Sequence, residues 1–432
     1  MDTSLSTLQT NYINKVFSEE EQLAIDAEFA SYMNSLGPSF VRAVATREEA
    51  TKFPLTRWQI HGRIGLPKLC RLALRILSQE VFTRLTFDSI CEVGFGVEMG
   101  TLSASMPIVP FAKAFDSATG IVAKRFFNPL WKLQRLLNIG AEAKLKEDVL
   151  LLNQFTSTLI RKRREEIDSK ACHQMSNNEH SDLLSRFLMA DKESTTDRSN
   201  MRLRDLIINF VIAGRDTTSI ALSWFLYVMS HEPQVQDKIL QELHEIWQKG
   251  EERCTHSSED HNHENQGCCK RCIERYGASL SFEALANMHY LHATLCETLR
   301  LYPVVPEDGK TAYQRDVLPD GTRVNRGDVV LFAPYAMGRM TNLWGTDALE
   351  FKPERWLKDD VFEPQSPFKF SAFQAGPRIC LGKDFAFLQM KMTAAILLKY
   401  FKFHLVTNDV VTYKVALTLS MSKALQMSVE CR

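Results

Sequence analysis

A cysteine at position 380 stands where a thiol can be ionised and shielded, in the run Phe373-Gln374-Ala375-Gly376-Pro377-Arg378-Ile379-Cys380-Leu381-Gly382. The stretch that follows, Lys383 to Tyr400, is apolar, free of Gly and Pro, and reads as a helix. A cysteine just ahead of a helix meets unpaired backbone N–H groups and the positive end of the helix dipole, which favour the thiolate and lower its pKa. Gly376 and Gly382 let the backbone take positive φ and approach a flat ligand closely. Phe373 can screen the sulfur from water, and Arg378 offers a fork of donors suited to a carboxylate. Thiolate, screen, clamp and close backbone describe the loop of an axial haem ligand. The plainer alternative is a buried cysteine in an ordinary loop.

Two further groups of residues have chemical content. Glu297 and Arg300 are three apart, hence on one helical face and able to pair, although most such pairs are solvated and worth little. Ala213-Gly214-Arg215-Asp216-Thr217-Thr218 lies inside a long helical stretch. A mid-helix Gly costs about 1 kcal/mol against Ala, so it needs a reason. Thr217 and Thr218 can bond back to carbonyls of the preceding turn and open the helix locally. A notch, a carboxylate and two hydroxyls form a path for water and protons, or else a kink with polar residues turned to solvent.

The elements that position these residues are mostly helices. Phe82 to Val93, Glu147 to Glu166, Leu203 to His231 and Lys383 to Tyr400 are long and periodic. A helix beginning near Ser281, with Ser281 as N-cap and Glu283 in the first turn, carries the stripe Leu285, Met288, Leu291 and Leu295. It stops at Tyr302 because Pro303 follows. Strand signals concentrate in Val317 to Ala333, with turns at Pro319-Asp320-Gly321 and Asn325-Arg326-Gly327. The fold class is mainly α with a small β region.

Composition narrows the function classes. The 432 residues suffice for a large core, and 45% hydrophobic with 24% charged residues is ordinary for a globular protein. The 52 basic and 52 acidic residues cancel, leaving no global field to draw nucleic acid or an anionic membrane. Ten irregularly spaced cysteines with no secretory signal favour a reducing compartment over a disulfide framework. No run approaches the roughly 20 apolar residues of a transmembrane segment. The polar stretch Lys249 to Gly277 carries Cys254, His256, His261, His263, Cys268, Cys269 and Cys272. Cys269-x-x-Cys272 resembles half a zinc set, but the others lack paired spacing, so residues 250–279 read as a surface loop.

The ten residues from Phe373 to Gly382 resemble the haem-binding signature of cytochromes P450, with Phe, both Gly, Arg and Cys at the family spacing. The resemblance implies a P450-like haem-thiolate fold holding haem b (iron protoporphyrin IX). Cys380 is then the axial iron ligand, Arg378 contacts a propionate, and Phe373 and Gly376 shape the pocket. Ala213 to Thr218 resembles the family's oxygen-activation motif, so Asp216 and Thr217 deliver protons for oxygen activation. Glu297 and Arg300 match the family's E-x-x-R pair, completed by Arg355 in Phe351-Lys352-Pro353-Glu354-Arg355-Trp356, as a structural brace. Lys310 stands where the family often has a second propionate arginine; it keeps the charge and loses the fork.

The implied reaction inserts one oxygen atom from dioxygen into a C–H bond. Electrons come from NADPH through a separate NADPH–cytochrome reductase, because this chain has no dinucleotide fingerprint. The strings Ala213 to Thr218, Phe373 to Arg378, Leu85 to Cys91 and Val93 to Gly96 resemble plant long-chain fatty-acid ω-hydroxylases, implying a fatty-acid or other apolar substrate. An apolar channel would draw on Phe210, Ile212, Ala213, Val304 and Val305, residues that are as readily plain core. The resemblance also implies the cytoplasmic face of the endoplasmic reticulum; with no anchor recognised here, soluble or peripheral placement is the other expectation.

The resemblance begins near Leu77, so residues 1–76 form an atypical N-terminal segment and 77–432 the haem domain. The family's anchor and its W-x-x-x-R propionate motif are not recognised upstream: Trp58-Gln59-Ile60-His61-Gly62-Arg63 has one residue too many. An incomplete N-terminal portion implies weakened haem retention. Two competing expectations are a truncated, non-catalytic or weakly haem-binding member, and a haem-thiolate hydroperoxide lyase or isomerase. Members of the latter class typically lack the threonine corresponding to Thr217.

Overall fold

The computed structural model describes residues 79–432 apart from 103–106, 126–127, 172–181, 191–196, 249–275, 278, 407–410, 414–417 and 424. The N-terminal segment 1–76, the Trp58 to Arg63 run and nearly all of the Cys/His-rich stretch lie outside those residues. Among the described residues no group of His, Cys, Asp and Glu side chains is placed to hold a metal ion. Likewise, no helix there is long and apolar enough to cross a membrane.

In chain order the helices are α1 (Gln79–Phe95), α2 (Pro110–Lys124), α3 (Trp131–Leu137), α4 (Gly140–Ala171), α5 (Leu183–Ala190), α6 (Asp197–Met229), α7 (Pro233–Gln248), α8 (Phe282–Ala286) and α9 (His289–Leu301). Four short strands follow: β1 (Asp308–Thr311), β2 (Asp316–Val317), β3 (Arg323–Val324) and β4 (Val329–Phe332). After α10 (Pro334–Met337) and α11 (Thr341–Trp344) come β5 (Leu357–Lys358), β6 (Val361–Phe362), α12 (Lys383–Tyr400), β7 (Phe401–Leu405) and β8 (Met427–Cys431). Among the described residues the sheets are antiparallel pairs: β1 with β4, β2 with β3, β5 with β6, and β7 with β8.

The described residues divide into two units, one of 114–151 and 307–333, the other of 79–113, 152–306 and 334–432. In the first, Arg125 grips buried Glu142 with two hydrogen bonds of 2.9 and 2.8 Å, and β1 to β4 form two hairpin-like pairs. The two turns read from sequence close there, with Gly321 and Gly327 at φ 87° and 88°.

The second unit is built on α6, α9 and α12. Leu222, Phe225 and Met229 of α6, Leu291 and Ala293 of α9, and Met392 and Ala394 to Leu398 of α12 are all sealed from solvent. Hydrophobic residues on every side of α12 explain its burial along most of its length. On α1, Ile90 fills the space where a side chain at Gly214 would stand: a Cβ there would lie 2.8 Å from it. That close approach is the reason for glycine in mid-helix, and α6 runs through it without a break.

Three expectations need correction. The helix read from Ser281 to Tyr302 is two helices. Ser281 does cap the first, accepting from the Ala284 N–H at 3.1 Å, but the chain leaves helical geometry at Met288. There the Glu242 carboxylate of α7 takes the N–H groups of Tyr290 (2.7 Å) and Leu291 (2.9 Å), starting α9 afresh. The loop read over 250–279 ends earlier, because Tyr276 and Gly277 are buried and Tyr276 packs on Trp247 at 4.8 Å. The β structure also extends beyond Val317 to Ala333, at β1 and at β5 to β8.

Buried Lys391 of α12 sits against this junction, donating to the Leu285 carbonyl at 2.8 Å. Burial pushes its amine down to about 8, with Glu242 pulling the other way. Between that value and the ordinary 10.5, the unfolded chain holds a proton the native chain has lost. The Lys391 contribution to native stability therefore grows with rising pH across this window, by at most about 1.4 kcal/mol per pH unit. Denaturant unfolding of wild type and Lys391→Met at pH 8 and pH 10 checks this: the stability difference between them should move in favour of wild type by pH 10, and an unchanged difference rules it out.

Candidate functional site

The cysteine loop is shaped by its own backbone. Gln374 and Gly376 both adopt left-handed φ (65° and 66°), and a 3-10 turn spans Gly376 to Arg378. The Cys380 N–H closes the loop onto the Phe373 carbonyl at 2.9 Å. The Phe373 ring packs 5.2 Å from that of Phe387 on α12. Cys380 itself is a free, exposed thiol, flanked by Ile379 and Leu381, which are 43% and 41% exposed. Arg378 is exposed at the turn.

Two sequence expectations for the loop are corrected. Gly382 has φ −87° and ψ 7°, ordinary geometry, so positive φ is confined to Gln374 and Gly376 in this loop. The thiol of Cys380 is held above its usual value, not below it. The dominant cause is desolvation by the surrounding protein, which outweighs the Gly382 N–H and the Lys383 charge that lower it.

Glu297, Arg300 and Arg355 come together in a buried cluster. Arg300 binds the Glu297 carboxylate through two nitrogens at 2.7 and 2.8 Å, and Arg355 adds a third contact at 2.9 Å. Trp356 Nε1 and the Lys352 N–H complete the shell at 2.9 and 2.8 Å. The remaining Arg300 donors reach the carbonyls of Gly338, Ala348 and Glu350. Arg355 also reaches the Asp347 carbonyl at 2.9 Å. Sequence reasoning missed Trp356, Gly338 and Asp347. Trp356 adjoins Arg355 in the chain, which was an available signal; the others are joined only by folding.

On α6, the Thr217 hydroxyl donates to the Ala213 carbonyl at 2.6 Å. Arg215 is buried and its Nη1 lies 3.5 Å from Asp216 Oδ1. Thr86 of α1 donates to the Arg215 carbonyl at 2.7 Å, fixing this stretch from a second helix. Ile212, 47% exposed, and Ala213 leave an uncovered apolar strip beside Asp216 and Thr217. Of the other channel residues, Val304 is core, Val305 is partly exposed and Phe210 packs 6.3 Å from Phe187. Lys310 belongs to the other unit, on β1 opposite Val330, with Nζ 3.5 Å from Asp308.

An accessible sulfur bordered by uncovered aliphatic side chains suits a flat, largely apolar macrocycle that presents a metal to the sulfur, and Arg378 beside it suits an acidic edge. A helical fold with such a loop ahead of a helix buried along most of its length fits the haem-thiolate class. The family model for Cytochrome P450 matches residues 73–426. The chain is 46% identical to cytochrome P450 704B1 of Arabidopsis thaliana over 82% of its own length and 69% of that protein. It is also 46% identical to cytochrome P450 704C1 of Pinus taeda, over 83% of this chain and 67% of the relative. Cytochrome P450 86B1 of Arabidopsis thaliana is 42% identical, over 81% of this chain and 60% of the relative. Among solved structures, the cytochrome P450DA heme domain is 20% identical and superposes with a TM-score of 0.69, over 92% of this chain and 76% of that one, a likeness of fold. The chain belongs to the cytochrome P450 family of haem monooxygenases.

Proposed function

We propose that the chain is a monooxygenase that inserts one oxygen atom into a C–H bond of a long-chain fatty acid, at or near its terminal carbon. The observation that carries the reading is the accessible Cys380 thiol in its closed loop, between the uncovered Ile379 and Leu381. Bound there, haem b supplies oxygen activation. The electrons come from NADPH through a separate reductase, at the cytoplasmic face of the endoplasmic reticulum.

The chain's own residues hold, screen and transfer. Cys380 Sγ would hold the iron, the Arg378 guanidinium would pair with a propionate, and the Phe373 ring would help screen the sulfur once the group is bound. The brace of Glu297, Arg300 and Arg355 keeps the core behind the loop rigid. Because the Thr217 hydroxyl proton is spent on the Ala213 carbonyl, its oxygen is left as an acceptor for water, one residue along α6 from the Asp216 carboxylate. The Asp216 carboxylate can take up a proton from solvent and release it to such a water, while Ile212 and Ala213 offer the apolar surface an alkyl chain covers. The strings that resemble plant fatty-acid ω-hydroxylases support the substrate class. The presence of Thr217 favours this reading over a hydroperoxide lyase or isomerase.

The test is turnover of a long-chain fatty acid by the haem-loaded chain with NADPH and reductase. A terminal or near-terminal hydroxy acid is expected, and its absence from fully loaded protein overturns the reading. In Thr217→Ala, product formed per NADPH should fall by about tenfold or more while NADPH consumption continues. An unchanged ratio removes Thr217 from the proton path.

A further inference from the structure

His292 of α9 is held between two rings. Its imidazole stacks on Phe362 of β6 at 4.0 Å with 23° between planes, and on Phe387 of α12 at 4.3 Å and 29°. Phe387 is buried and meets Phe373 at 5.2 Å, and the carbonyl of Phe373 accepts the Cys380 N–H. Phe373 is thus fixed twice, by its ring to Phe387 and by its backbone to Cys380. Trp356, the indole that donates to Glu297, lies parallel to Phe362 at 6.4 Å. A run of rings, stacked from Trp356 to Phe387 and tilted at Phe373, therefore joins the buried carboxylate to the cysteine loop, with the imidazole in its middle.

The geometry points to His292 as a positioning residue for the thiolate: it holds Phe387 against Phe373 and so fixes the surroundings of the Cys380 sulfur. Nothing in this role needs a proton. Burial, followed by the charges of Lys391, Lys383 and His289, keeps the imidazole neutral, the form that stacks between two apolar rings at least cost. Removing the ring lets Phe387 and Phe362 relax into the gap, and Phe373 follows because its ring has lost its stop. The sulfur's exposure to water and to the Gly382 N–H then changes, and with them the electron density it shares with a metal.

The inference rests on the haem reading of Cys380, and the test separates the two. Wild type, His292→Ala, His292→Phe and Phe362→Ala are loaded with hemin and poised at one fixed redox potential. The ferrous-to-ferric ratio and the Soret maximum of the reduced carbon-monoxide complex are read, with thermal melting alongside. His292→Ala should change the ratio by about threefold or more, the equivalent of one aromatic pair, and displace the Soret maximum. His292→Phe should keep both at wild-type values, and Phe362→Ala should move them in the same direction by less. If His292→Ala melts lower but leaves ratio and spectrum unmoved, the residue only supports the fold. If His292→Phe shifts as far as His292→Ala, the imidazole's own chemistry is responsible and the stacking role is wrong. A wild type with no thiolate spectrum defeats the underlying reading instead.

Discussion

Replacing Glu297 by alanine is expected to leave a chain that barely folds. The carboxylate accepts five hydrogen bonds: two from Arg300 and one each from Arg355, Trp356 and the Lys352 backbone. The Glu297 and Arg300 side chains are both fully shut off from solvent. Alanine there strands one buried guanidinium and most of a second, and breaking a buried pair in this way costs about 3–5 kcal/mol. Proteins have about 5–15 kcal/mol in total, so between about a fifth and the whole of the margin disappears. Glu297→Gln retains the shape and one acceptor oxygen, and should fall between alanine and wild type. Arg355→Lys should be milder than either, since Arg355 keeps some contact with solvent. Denaturant unfolding of the four proteins ranks them; a Glu297→Ala midpoint equal to wild type would falsify the structural brace.

Cys380→Ala is expected to abolish the thiolate spectrum of the hemin-loaded chain while hardly touching the stability of the polypeptide. The two outcomes separate because the side chain is exposed and the loop is closed through backbone groups. The closing contact comes from the backbone N–H of residue 380, which alanine keeps. Stability of the haem-free chain should stay within about 0.5 kcal/mol, as for other exposed positions. An unaltered Soret band in Cys380→Ala would place the axial ligand elsewhere and remove the basis of the proposed function.

What could be read from the chain and what could not follows the distance over which each feature is encoded. The cysteine loop could be singled out because Phe373, Gly376, Arg378 and Cys380 lie within eight residues of one another, and α12 began and ended at the expected residues because Gly382 and Phe401 bracket an unbroken apolar run. The division between α8 and α9 was hidden, because the carboxylate that restarts the helix belongs to Glu242, 48 residues before Tyr290. The β5–β6 hairpin was missed because Asp359 and Asp360 both take positive φ (50° and 60°) without the glycine that usually announces such a turn. The alternation of Phe401 and Phe403 inward with Lys402 and His404 outward was a strand signal left unread beside the long helix before it. The thiol's direction was misjudged for a different reason. Its helix-end neighbours do lower it, but the desolvation contributed by surrounding protein, even around an exposed side chain, is a property of the folded chain that no local pattern contains.

The contact between Gly214 and Ile90 ties two distant positions into one shared volume. Any enlargement at 214 is admissible only where 90 shrinks by a comparable amount, so these two sites are free to drift as a pair and not singly. Exchange of one helix for its counterpart from a related chain would therefore succeed only when both partners of the pair travel together.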